Sequence, residues 1–185
     1  MKKGNLRIIS WNVNGIRAAA KKGFLGWLKK DPGDVVCLQE TKAEEGQLDG
    51  DLRNPLGYRA HWCSGTRKGY CGVATLSRAE PDSVTRGFGI RRFDDEGRVL
   101  ITDHQGIKVL NVYFPNGQSR EERLKYKLDF YEAFLDYCRK LVKKGERLVV
   151  CGDYNTAHKE IDIARPRENE STSGFLPVER DWMDA

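Results

Sequence analysis

The sequence predicts a layered α/β sandwich, and three observations carry that expectation. Short apolar runs of strand length recur along the chain, and those between residues 58 and 114 follow one another without a helix, which favours antiparallel hairpins. One segment beyond residue 119 repeats apolar residues at helical spacing, and a second helical stretch follows the first strand. Strands in series, with helices that must cover sheet faces, give layers of sheet and helix.

The elements follow in order. Residues 6–13 read as a strand, and residues 16–30 as one helix ending before Asp31-Pro32-Gly33. Residues 34–39 form a second apolar strand, and shorter strands are expected over 58–63, 72–77, 83–88, 99–103 and 107–114. The clearest helix opens at Ser119-Arg120-Glu121-Glu122, a capping box in which hydroxyl and carboxylate satisfy free backbone N–H groups. Leu124, Leu128, Tyr131, Phe134, Leu135, Cys138 and Leu141 then recur on one face, and Gly145 supplies the stop. The apolar run at 148–151 suits a buried strand. No repeat or low-complexity linker interrupts the pattern.

Bulk properties narrow the class. A length of 185 residues fits a single domain, 1–185, able to bury a sizeable core. Hydrophobic content of 39% beside 32% charged residues is that of a globular chain, with no apolar run of membrane-spanning length. No membrane partner is expected. The five cysteines are odd in number and lack metal-type spacing, so they read as reduced thiols of a cytoplasmic protein. A net charge of +5 permits a polyanionic partner without demanding one.

The chemistry sits where the strands end. The first runs into Ser10-Trp11-Asn12-Val13-Asn14-Gly15, and the second into Gln39-Glu40-Thr41-Lys42. The 107–114 strand finishes in Tyr113-Phe114-Pro115-Asn116-Gly117, and the last in Gly152-Asp153-Tyr154-Asn155. Singly, each has a bland reading: Asn14-Gly15 as a turn, Glu40 as a solvated charge, Tyr113 as a strand aromatic, Gly152-Asp153 as a loop. Four such endings together point instead to one rim where strand ends converge on a site. The donors are oxygen-rich, which selects a hard cation such as Mg²⁺, with Mn²⁺ as a substitute, over zinc.

Six segments carry a resemblance: ISWNVNG (9–15), LQETK (38–42), KGYCGVA (68–74), YFPNG (113–117), GDYN (152–155) and GFLPVER (174–180). In this order they resemble the exonuclease III family of apurinic/apyrimidinic (AP) endonucleases, within the endonuclease/exonuclease/phosphatase superfamily. The resemblance implies a four-layer α/β sandwich of two mixed, mostly antiparallel sheets flanked by helices. It implies an Mg²⁺-dependent phosphodiesterase cutting DNA 5′ to abasic sites, with 3′→5′ exonuclease and 3′-phosphatase activity. The implied partner is double-stranded DNA with abasic sites or 3′ blocking groups, met by a monomer, nucleoid-associated in a prokaryote.

By the same resemblance, Glu40 is the main metal ligand, with Asn12, Asp153 and Asn155 as further candidates. Asp153 handles the attacking water, Asn155 donates to a phosphate oxygen, and Tyr113 touches the phosphate. Asn14, Asn116 and Asn169 would hold the DNA backbone, and Lys42, Arg67 and Lys68 would anchor phosphates. Asn14 stands where some members carry aspartate. The family's closing Ser-Asp-His motif is absent from the chain, and His61, His104 and His158 are read as structural or exposed. The expectation is therefore a domain lacking its C-terminal portion and inactive without it. The alternatives are another hydrolase of the superfamily, such as a phosphoinositide phosphatase or general nuclease, and a non-catalytic nucleic-acid-binding fragment.

Overall fold

The elements of the computed structural model, which describes residues 5–118 and 120–184, run in chain order. They are β1 (Ile8–Asn12), α1 (Ile16–Lys21), α2 (Phe24–Lys30), β2 (Val35–Gln39), α3 (Gly50–Arg53), β3 (Arg59–Cys63), β4 (Val73–Ser77) and β5 (Ser83–Arg86). After these come α4 (Arg91–Asp94), β6 (Val99–Asp103), β7 (Ile107–Tyr113), α5 (Glu121–Lys143), β8 (Arg147–Asp153), α6 (Pro166–Asn169) and α7 (Pro177–Met183). They divide into two compact units, one of residues up to 113 with 141–153, the other of 114–140 with 154 onward.

The first unit holds two four-stranded sheets, ordered β1-β2-β4-β3 and β5-β6-β7-β8. Each has one parallel pair, β1 with β2 and β7 with β8, and the remaining pairs are antiparallel. The expected α/β class, with mixed and mostly antiparallel sheets flanked by helices, is the observed one. Strand β2 shows why the sheets stack. All five of its residues are buried, and they alternate in direction with the period of the pleat. Val36 and Leu38 pack with Ile16, Ala19, Phe24 and Leu28 of α1 and α2. Val35 and Cys37 instead meet Val109 and half-buried Cys151 of the other sheet. Two apolar faces leave β2 no polar exit except at its end, where Gln39 stands.

Two expectations meet a different outcome, and a third falls outside the described residues. The single helix over 16–30 is two helices, because Gly23 takes φ 98°, a left-handed conformation that ends α1 and redirects the chain into α2. The 148–151 run is not a buried strand. β8 is the last strand in its sheet order and pairs only with β7, so its residues stay half-buried and Val149 is 36% exposed. An apolar run cannot by itself distinguish a central strand from an edge strand. The capping box includes Ser119, which lies outside the described residues. The helix it heads is present, with Tyr131 and Phe134 buried as the spacing predicts. No helix among the described residues is long and apolar enough to cross a membrane.

Gly152 fixes the spacing of β7 and β8 just before their C-terminal ends. Its φ is +150°, and a Cβ built there would lie 1.8 Å from the Val112 carbonyl oxygen. Gly152→Ala is expected to cost at least about 2 kcal/mol, since the backbone must move to admit the methyl. Urea unfolding measures this, and a loss under about 0.5 kcal/mol would show that the strands separate freely.

The second unit is built around Phe114. Its ring stacks on Tyr154 at 4.4 Å and meets Phe130, Tyr131 and Phe134 of α5 edge-on at 5.3–5.6 Å. Beside this cluster lies a fully buried ion pair. Lys127 Nζ donates to Glu179 Oε1 at 2.6 Å, to the Asn155 carbonyl at 2.7 Å and to Thr156 Oγ1 at 2.8 Å. Glu179 also accepts from Ser173 Oγ and from the backbone N–H groups of Gly174 and Leu176.

Candidate active site

Parallel pairing aligns the site. Register places Asn12 beside Gln39 at the ends of β1 and β2, and Tyr113 beside Asp153 at the ends of β7 and β8. The two sheets meet with β1 against β8 and β2 against β7, so these four endings share one rim of the first unit. Beneath it the sheets are tied by amides. Gln39 Nε2 donates to Asn111 Oδ1 at 2.8 Å, and Asn111 Nδ2 donates to the Ala74 carbonyl at 2.8 Å, all buried.

At the rim, Asn12 Nδ2 donates to Asp153 Oδ2 at 2.7 Å, while its Oδ1 accepts from the Asn14 backbone at 2.9 Å. The Tyr113 hydroxyl donates to Glu40 Oε1. Lys42 Nζ lies 3.0 Å from Glu40 Oε2 and donates to Asn14 Oδ1 at 2.6 Å. Asn12, Asn14, Glu40, Lys42, Tyr113 and Asp153 are thus brought together as one hydrogen-bonded set. The 64–72 loop carrying Arg67 and Lys68 is tied to the same rim by Thr41 N to Gly72 O at 3.0 Å and Lys42 N to Cys71 O at 2.9 Å. Arg67 covers the Tyr70 ring at 5.0 Å, and both it and Lys68 are exposed.

The remaining candidates belong to the second unit. The Asn155 amide donates to the Phe114 carbonyl at 2.9 Å, which orients its side chain. Asn116 is exposed and accepts from the Gln118 N–H at 2.7 Å. Asn169 donates to the Ala164 and Arg165 carbonyls at 3.2 and 3.0 Å. The histidines engage local partners: His104 with Thr102, His61 near Glu80, and His158 with Asp184.

Backbone strain marks the same residues. Asn14, Glu40, Lys42 and Asn155 all have left-handed φ, between 44° and 52°. Asparagine tolerates this region, but glutamate and lysine do not, and each such residue costs on the order of 1 kcal/mol unless its surroundings hold it. Here they do, since the backbone of Val13, Gly15 and Ile16 donates to Gln39, Glu40 and Thr41 carbonyls.

Electrostatics favours a charged Glu40. Burial pulls its carboxyl upward, but the Tyr113 hydrogen bond, Lys42 and Asn12 outweigh it, so the carboxyl titrates below its ordinary 4.5. The carboxylate therefore adds stability that is complete above its unfolded pKa and is lost as pH falls through the lower folded value. Tyr113 moves the other way. Burial first, and then the Glu40 charge, raise its phenol well above 10, so it remains a donor throughout the working range. Tyr113→Phe is expected to raise the Glu40 pKa, read by carbon-13 carboxyl titration. An unmoved midpoint would show that Lys42 alone sets it.

Sequence reasoning missed several supporting residues. Arg98 is 2% exposed and donates to the Tyr113 carbonyl at 3.0 Å, to Glu96 at 2.5 Å and to the Tyr70 hydroxyl at 3.2 Å. Its one trace in the sequence is an arginine directly before an apolar strand. Asn111 was similarly visible only as a carboxamide inside VLNVY. Lys127 sits on the apolar face of α5 and left no signal, because lysine is rarely buried.

A carboxylate-and-amide rim at the ends of two stacked mixed sheets is the layout of a phosphate-ester hydrolase. The chain belongs to the endonuclease/exonuclease/phosphatase family, matched over residues 9–182, and within it to the branch of exonuclease III and the AP endonucleases. It is 41% identical to an exodeoxyribonuclease of Bacillus subtilis (strain 168), over 95% of this chain and 69% of that one. It is 39% identical to the DNA repair nuclease APEX1 of Danio rerio, over 96% of this chain and 57% of that one. Among solved structures, an AP endonuclease from Archaeoglobus fulgidus aligns at TM-score 0.85 and 31% identity, covering 97% of this chain and 69% of the other. These relatives are hydrolytic nucleases, and the class of enzyme is theirs.

Proposed function

We propose that the chain carries the catalytic rim of an Mg²⁺-dependent DNA-repair phosphodiesterase. It would cleave the backbone 5′ to abasic sites in duplex DNA, with 3′→5′ exonuclease and 3′-phosphatase chemistry at the same rim. The observation that carries this is the hydrogen-bonded set Glu40, Asn12, Asp153 and Tyr113, linked through Asn14 and Lys42 and grouped from four strand ends.

The donors suit the metal. Two carboxylates and a carboxamide oxygen, with no thiolate or imidazole among them, match a hard cation that keeps most of its waters. Glu40 is assigned as the principal ligand, with Asn12, Asp153 and Asn155 as candidates. Bound there, Mg²⁺ would supply Lewis-acid stabilisation of the charge that develops on the phosphodiester. The chain's own groups do the rest. Asn12 fixes the Asp153 carboxylate, which orients and deprotonates the attacking water. Tyr113 keeps its proton and presents a phenol to the phosphate. Asn155 offers an amide donor to an oxygen whose charge grows in the transition state. Lys42, Arg67, Lys68, Asn14, Asn116 and Asn169 are assigned to the DNA backbone.

The test is a duplex with one tetrahydrofuran abasic site, set against inositol phosphates, with Mg²⁺ titrated. Cleavage of the duplex alone by the full-length protein, with Glu40→Ala raising the Mg²⁺ needed, is the expected result. Turnover of inositol phosphates instead would move the chain to another branch of the family. An abasic site offers no base to read, so affinity for the duplex should fall steeply with salt and depend little on flanking sequence. Strong dependence on neighbouring bases at fixed salt would contradict backbone-based recognition.

A further inference from the structure

Beside the rim, on the helix-covered side of the first sheet, lies a cleft of about 330 Å³ that the proposed reaction does not use. Its walls are aromatic. Trp11 meets Trp27 edge-to-face at 4.8 Å and 73°, and Phe24 lies 5.9 Å from Trp11 and 6.0 Å from Trp27. The cleft exists for local reasons: α1 ends after six residues, just before Gly23, and the side chains it turns toward the cleft are the small ones of Ala18 and Ala19. Phe24 is buried, yet Trp11 stays 37% exposed, so part of an indole is left open to solvent within an aromatic group. Asn14 lines the cleft on the side of the rim, and Lys22 stands at its mouth.

Charge around the cleft is of one sign. From Ile8 to Lys30 the chain has no aspartate or glutamate, while α1, α2 and the turn between them carry Arg17, Lys21, Lys22, Lys29 and Lys30. Among the described residues none of these five makes an ion pair. Packing of Trp11 on Phe24 and Trp27 explains why the aromatic residues touch, but not why an open indole sits on elements that carry five cations and no carboxylate. Aromatic faces flanked by lysine and arginine are how proteins hold unpaired nucleotides: the base stacks, and the phosphates meet the cations. A volume near 330 Å³ falls at the small end of ligand cavities, suited to one planar ring system.

We infer that this cleft is a subsite for one unpaired nucleotide of a DNA strand, with the base against Trp11 and Trp27 and its phosphate on Lys22. The inference deepens the proposed function and rests on its reading that the rim acts on DNA. An unpaired base next to the cut would be held here while the backbone crosses by Asn14.

The test avoids activity altogether. In EDTA, the chain is titrated with an eight-residue thymidylate strand and with an eight-residue tetrahydrofuran strand of equal charge, following tryptophan emission. Trp62 is buried and Trp27 and Trp182 are half-buried, so Trp11 offers the most accessible indole. Thymidylate is expected to quench emission and bind about tenfold more tightly than the baseless strand. Ala18→Leu, at an exposed position that lines the cleft, should abolish that preference. Lys22→Glu, an exposed change that spares the fold, should weaken both strands and lower the salt dependence. Equal binding of the two strands, or an undiminished preference in Ala18→Leu of native circular dichroism, would overturn the inference. Abasic-duplex cleavage alongside either of those results would leave the proposed function standing. A base preference without cleavage would do the reverse.

Discussion

Asp153→Asn is expected to lower the rate of abasic-duplex cleavage by about 10²–10⁴ while leaving the fold intact. The amide keeps the shape of the carboxylate and can still accept the 2.7 Å hydrogen bond from Asn12, so the rim should hold its geometry. What it loses is the ability to take a proton from water. Single-turnover cleavage at saturating Mg²⁺ measures the effect, with duplex binding in EDTA as the control for misfolding. A rate within tenfold of the parent would place the base elsewhere, and a large rise in the Mg²⁺ requirement would assign Asp153 to the metal instead.

Lys127→Met is expected to cost about 3–5 kcal/mol of stability, the largest single loss foreseen for the chain. The substitution leaves the Glu179 carboxylate at 0% exposure with its nearest cation gone, although Ser173, Gly174 and Leu176 still donate to it. It also removes the Lys127 donor from the Asn155 carbonyl and from the Thr156 hydroxyl, which keeps its bond to the Tyr131 hydroxyl. Denaturant unfolding gives the magnitude. The double variant Lys127→Met with Glu179→Leu should recover a good part of the loss, because a neutral pair of similar volume removes the buried charge. A single-variant loss below about 1 kcal/mol would mean that the backbone donors alone satisfy Glu179.

Much of the site was legible because the strand ends announce themselves. An apolar run such as VVCLQ has no reason to finish in Glu40-Thr41-Lys42 unless something outside the sheet uses them, and the same holds for Asn12, Tyr113 and Asp153. The support beneath them was less legible. Gln39 and Asn111 are 72 positions apart, and nothing local states that their amides face each other across two sheets. Arg98 reads as a surface arginine, yet it sits buried under Tyr113.

The sequence by itself determined the alternation of strands and helices, the identity of the rim residues and their oxygen-donor chemistry. Each of these follows from short-range pattern: apolar periodicity, strand endings, and residue types in a few fixed positions. Tertiary structure alone decided the edge position of β8, the left-handed backbone at Glu40 and Lys42, and the burial of Lys127 against Glu179. Those features depend on partners far away along the chain. A positive φ at glutamate survives only where neighbouring strands hold it, and a lysine is buried only where a carboxylate from another element meets it.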